Sequence, residues 1–160
     1  MPSLTPLQTS LNGWLQQQVN AAMPPDVATG VQFAFNEQQI MLKLPERQDT
    51  LFVFMPLTTV DFGCDSDLLT LGMMLNIEPG LMCGAAIGLD APNRTLVLTA
   101  HQAMLSFNER ELVSWLTNTV HLGVRIRDEF ALAIAGRKPF TGATSRALAK
   151  RMRFDPFYSL

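Results

Sequence analysis

Val31-Gln32-Phe33-Ala34-Phe35-Asn36-Glu37-Gln38-Gln39-Ile40-Met41-Leu42-Lys43-Leu44 decides the fold. Val31, Phe33 and Phe35 alternate with Gln32, Ala34 and Asn36, and Ile40, Leu42 and Leu44 alternate with Gln39, Met41 and Lys43. A period of two is the signature of strands with one buried face, and the short polar link Asn36-Glu37-Gln38 reads as a hairpin turn. A third strand, Leu51 to Met55, follows Pro45-Glu46-Arg47-Gln48-Asp49. It breaks the rule of its neighbours: Leu51, Val53 and Met55 lie on one face, and Phe52 and Phe54 on the other. An antiparallel sheet usually has one wet face. This strand is therefore either covered twice or keeps an apolar face for a partner.

Before the hairpin, Thr5 is a good N-cap, Pro6 suits the first helical position and Gln8 completes a T-x-x-Q capping box. Leu7, Leu11, Trp14, Leu15 and Val19 then form one helical face, and Pro24-Pro25 ends the segment. After the third strand, Asp65-Ser66-Asp67 places acids at a helix start, where the macrodipole favours them. The helix Leu68 to Leu75 is short and almost wholly apolar, and Asn76 with Pro79-Gly80 closes it. Two strands follow, Met82 to Leu89 and Thr95 to Thr99, joined by the turn Asp90-Ala91-Pro92-Asn93. Ser106 and Glu109 predict a second capping box for a long final helix. Leu112, Leu116, Val120 and Val124 line one stripe of it; Trp115, Leu122, Ile126 and Phe130 line another, and Gly136 follows as the C-cap. The order α-β-β-β-α-β-β-α, with strands grouped by short turns, predicts an α+β fold: a twisted antiparallel sheet flanked by helices.

The chain has 160 residues and no run long and apolar enough to span a membrane. The opening MPSLTPLQTSLNGW has no basic region followed by an apolar stretch, so a secretory signal is not expected. Two cysteines, Cys64 and Cys83, are too few for a disulfide framework, and the reducing cytoplasm is the simplest compartment. Charged residues make up 16% of the chain, against about 25% in typical proteins. So thin a polar coat points to surface buried against another chain. The charge is also divided. Up to Gly136 there are six basic and thirteen acidic side chains, net −7; from Arg137 on there are six basic and one acidic, net +5. An acidic body, residues 1–136, thus carries a basic tail, residues 137–160. Within that tail Arg146, Lys150 and Arg153 share a face of a short predicted helix, with Arg151 beside them.

No catalytic constellation is present: no G-x-S-x-G, no phosphate-binding P-loop and no H-E-x-x-H. His101 and His121 lack partners that would make either a general base. Cys64 is flanked by Asp61, Asp65 and Asp67, whose charge works against a thiolate. Asp65-x-Asp67 reads as helix capping before it reads as a cation site. Neither an enzyme nor a cofactor is expected. Nine methionines and ten phenylalanines remain, beside a single tyrosine. Methionine adapts to irregular partners and is common on promiscuous binding surfaces.

Several segments together resemble class I type III secretion chaperones, the CesT-like (Tir chaperone) group. These are Phe33-Ala34-Phe35-Asn36 before the hairpin and the strand that runs into Met55-Pro56-Leu57. They continue with the apolar helix Leu68 to Leu75, Gly84-Ala85-Ala86-Ile87-Gly88-Leu89-Asp90, Thr95-Leu96-Val97-Leu98 and the final helix through Trp115. The resemblance runs from about Leu4 to Phe130. It implies a cytoplasmic bacterial homodimer that binds the N-terminal region of one or more secreted effectors in extended form and delivers it to the export apparatus. On this reading Leu4, Leu7, Leu11, Phe33, Phe35, Met41, Phe52 and Phe54 are candidates for the effector surface. Leu68, Leu71, Met74, Leu75, Met82, Ala85 and Ile87 are candidates for the dimer contact. The basic tail and its close Phe154-Asp155-Pro156-Phe157-Tyr158 are not part of the family core. They dock the secretion ATPase or another acidic export component, touch anionic lipid, or are simply solvated. The competing expectation is a small regulatory protein that uses the tail on nucleic acid or another protein.

Overall fold

A computed structural model describes residues 5–19 and 25–137. Its elements are α1 (Pro6–Gln18), β1 (Val31–Phe35), β2 (Gln38–Lys43), β3 (Thr50–Thr59), α2 (Ser66–Asn76), α3 (Pro79–Met82), β4 (Ala86–Asp90), β5 (Thr95–Ala103) and α4 (Glu109–Ala135). The five strands form one antiparallel sheet in the order β1-β2-β3-β5-β4, so β1 and β4 are its edges. The fold is α+β, as the grouped strands predict. The chain divides into two compact units, one from residues 1–55 and 99–120, the other from 56–98 and 121–160. β3, β5 and α4 run through both.

In the first unit the predicted capping box forms: Thr5 Oγ1 accepts from the Gln8 N–H, and Gln8 Oε1 accepts from the Thr5 N–H. The Gln8 amide also donates to the Leu44 carbonyl, which is how a polar residue comes to be buried there. Asn12 accepts from the Val27 N–H, and Leu44 N–H donates to the Val27 carbonyl. These bonds tie α1 to the end of the hairpin. Trp14 packs its ring edge-on to Phe33, which packs edge-on to Phe35. The helix stops at Gln18; Val19 is already extended, so it does not continue the apolar face predicted for it. The hairpin turns on Asn36 and Glu37, both at positive φ (47° and 65°), with Phe35 opposite Gln38. This is a two-residue turn with the twist that right-handed strands require.

The strand read as Leu51 to Met55 extends to Thr59. Pro56 does not stop it because the registered pairing of β3 with β2 covers only Phe52, Val53 and Phe54. Past that point a missing N–H costs no ladder bond. The free Pro56 carbonyl accepts from the Arg127 guanidinium at 3.1 Å.

In the second unit Met82 is not the start of a strand. Pro79 opens the one-turn helix α3, and Cys83 in the left-handed conformation ends it (φ 49°), followed by Gly84 (φ 85°). The strand begins only at Ala86. α2 packs on β4 and α4 at Gly72, where a Cβ would make ordinary contact with the Ile87 side chain at 3.4 Å and the Phe130 ring at 3.9 Å. α4 begins at Glu109, later than the Ser106 box predicts. Asn108 is the cap, its Oδ1 accepting from the Glu111 N–H. Of the two predicted stripes, Leu112, Leu116, Val120, Leu122, Ile126 and Phe130 are buried, whereas Trp115 and Val124 are half-buried.

Candidate functional site

Strand alternation sorts the first unit's candidate residues into two groups. Val31, Phe33, Phe35, Ile40, Leu42, Leu44, Leu51, Val53 and Met55 are buried with Leu7 and Leu11. Leu7, Leu11, Phe33 and Phe35 are therefore core side chains of the single chain. Met41, Phe52 and Phe54 stand on the opposite face and stay half-buried. The register places Met41 opposite Phe54 and Lys43 opposite Phe52. Phe52 and Phe54 stack nearly parallel, 14° apart with centroids at 6.4 Å, and His101 lies against Phe52 at 5.9 Å. The result is an apolar strip, about three side chains long, flanked by a cation and an imidazole. Leu4 lies outside the described residues, as do Arg146, Lys150, Arg151 and Arg153. The sequence gives His101 no catalytic partner, which leaves it an ordinary surface or packed histidine. Its place beside Phe52 follows from the pairing of β3 with β5, a long-range contact that spacing does not disclose.

A second apolar surface belongs to the other unit. Leu68, Leu71 and Leu75 of α2, Met82 of α3 and Ile87 of β4 point inward and are buried. Met74 and Ala85 are half-buried. The side chains turned outward are ones that sequence reasoning passed over: Met73 and Ile77, 72% and 75% exposed, with Leu89 of β4 at 44%. Met73 and Ile77 are spaced i, i+4 and so share one stripe, opposite that of Leu68, Leu71 and Leu75. That spacing was the available signal. It was hidden because both stripes of α2 are apolar.

The start of α2 carries the acids expected there, but Asp65 does not cap the helix with its side chain. Its Oδ2 accepts from the Asp61 N–H at 2.7 Å, and its Oδ1 pairs with the Arg137 guanidinium. The Asp61 N–H bond, assisted by Arg137, holds the Asp65 carboxyl below the ordinary carboxylate range even though burial pushes it up. Asp65 is thus a structural anion that fixes the loop before α2 and receives Arg137, the second residue after α4. Both Cys64 and Cys83 are free and exposed. Among the described residues no group of three metal-ligating side chains occurs, and no helix is long and apolar enough to cross a membrane.

Two outward apolar surfaces on this strand order can be set beside known families. The sequence model of the Tir chaperone protein (CesT) family matches residues 14–127. The chain belongs to the Tir chaperone family. Two solved complexes contain chains of the same fold. A chain of the ExsC–ExsE complex superposes with a TM-score of 0.52 at 14% identity, covering 73% of this chain and 90% of that one. A chain of the HopA1–SchA chaperone–effector complex gives 0.53 at 13% identity, covering 75% and 92%. Among curated proteins nothing matches this Tir-chaperone-family chain in sequence. The matched span takes in Trp14, the whole sheet and α4 as far as Arg127, and so includes both apolar surfaces.

Proposed function

We propose that this protein is a non-enzymatic chaperone of a type III secretion system. It holds the N-terminal region of one or more secreted effectors in extended form and hands it to the export apparatus. The observation that carries the reading is the outward strip Met41, Phe52 and Phe54 on a chain of the Tir chaperone family. An extended client offers alternate side chains to such a strip and main-chain groups to a sheet edge. β1 is the edge suited to receive it. In a two-residue hairpin the residues flanking the turn form the hydrogen-bonded pair, so Phe35, Phe33 and Val31 bond to β2. The N–H and C=O groups of Gln32 and Ala34 then point away from β2. Burying roughly 1,000–3,000 Å² offsets the ordering cost of a disordered client.

The same reading makes the protein a cytoplasmic homodimer, joined through the second unit. Met73, Ile77 and Leu89 supply the apolar contact, with Met74 and Ala85 at its margin. The basic residues Arg146, Lys150, Arg151 and Arg153 are proposed to meet the secretion ATPase or another acidic export component. The test is to tag the chain and purify it from its own bacterium grown under secreting conditions. The expected result is a dimer carrying a secreted protein whose N-terminal region resists protease. A monomer that carries none refutes the reading.

A further inference from the structure

The two edges of the sheet are not equivalent. β4 closes one of them, and an edge strand normally leaves a row of N–H and C=O groups open to any passing strand. In an antiparallel ladder a residue's N–H and C=O point to the same side. Ile87 uses both on one side chain: its N–H donates to Asn76 Oδ1 at 2.7 Å, and its carbonyl accepts from Asn76 Nδ2 at 2.8 Å. β5 occupies the other flank of β4, so this pair of bonds lies on the open edge. A carboxamide carries the same donor and acceptor as a peptide group, in the same plane. Asn76 therefore stands where the backbone of an added strand would stand.

The neighbouring edge groups are in part occupied too. The Ala85 N–H donates to the Met82 carbonyl at 2.8 Å, a bond set by the left-handed turn at Cys83. That leaves Leu89 as the residue of β4 whose outward N–H and C=O still face the edge. We propose that Asn76 is an edge-closing residue: its carboxamide fills the strand-addition position at Ile87, so that β4 accepts no strand and sheet extension is confined to β1. A partner meeting the second unit must then do so through side chains such as Met73 and Ile77, and not by lengthening the sheet. The part of this inference that concerns an extended client rests on the function proposed above; the closure of β4 does not.

The test uses the full chain without any client, so its outcome is independent of whether an effector is found. Hydrogen exchange of single amides is followed in the wild-type protein and in Asn76→Ala, with sedimentation velocity over a concentration series. In the wild type, the Ile87 amide should exchange far more slowly than that of Leu89. In Asn76→Ala it should exchange roughly tenfold faster, the worth of one such bond, while Val53 is unchanged. The variant should also form species larger than the wild-type assembly. Asn76→Asp, which keeps the acceptor but sets a carboxylate against the Ile87 carbonyl, should accelerate Ile87 to a similar degree. Wild-type Ile87 exchange as fast as that of Leu89 overturns the proposal, even if no variant folds. So does an Asn76→Ala protein that exchanges faster at Ile87 but associates no more than the wild type.

Discussion

The two outward apolar surfaces are built differently. In the first unit the strip Met41, Phe52 and Phe54 is seated on strands, half-buried, with its two rings stacked on each other. In the second, Met73 on a short helix and Ile77 at its C-cap are about three-quarters exposed. Side chains that shield one another tolerate water between visits of a partner. Two large aliphatic groups left so bare gain about 1.5–3 kcal/mol each on full burial and call for lasting cover. On the proposed function, the difference would separate a surface for a client that comes and goes from a surface for a subunit that stays.

The sharpest way to break this comparison is to test its premise within one sheet. Phe33→Ala removes a core ring that touches both Trp14 and Phe35, and should cost about 3–5 kcal/mol in denaturant unfolding. Phe54→Ala, on the opposite face, should cost about 1 kcal/mol at most. Equal losses would mean that the Phe52–Phe54 face is core. Next in size, Ile77→Asp sets a charge on the proposed subunit contact. It should weaken the dimer on the order of 100-fold or more, as light scattering would read, with the circular dichroism spectrum unchanged. A dimer that survives Ile77→Asp moves the contact elsewhere.

Much of this was legible because it is local. The alternation from Val31 to Leu44 fixed the hairpin, and Thr5 with Gln8 fixed the start of α1. Phe52 and Phe54 marked a second apolar face on β3, which the sequence left as either covered or kept for a partner; the structure leaves both rings half-buried. What was not legible depends on contacts distant in sequence or on equal choices. α2 is apolar on both stripes, so nothing local says that Leu68, Leu71 and Leu75 turn inward while Met73 and Ile77 turn outward. Met82 sits in an apolar run that suits strand or helix alike; Pro79 and the left-handed Cys83 settle it as helix. Asn76 looked like a helix terminator, and its bonds to Ile87 exist only once α2 lies along β4.

The smallest predicted effect concerns the acid corner of the second unit. The folded Asp65 carboxyl titrates below its unfolded value of about 3.8, so its contribution to stability is complete above that pH. It is lost as pH falls through the lowered folded value. Asp65→Asn should flatten this acid limb in thermal melts taken between about pH 5 and pH 2. Arg137→Ala should flatten it less, because the Asp61 N–H bond is the larger cause of the lowering. An unchanged acid limb in Asp65→Asn would place the acid sensitivity at other carboxylates.

The central claim is that the strand-borne strip holds the client. It is tested most directly by comparing the tagged wild-type chain with Phe52→Ala/Phe54→Ala, both purified from secreting cells. The quantity measured is the secreted protein retained per dimer. The account predicts that the double variant keeps its dimer and its fold while retaining at least about tenfold less client, from the loss of two aromatic contacts. Undiminished client on a folded, dimeric double variant would contradict it.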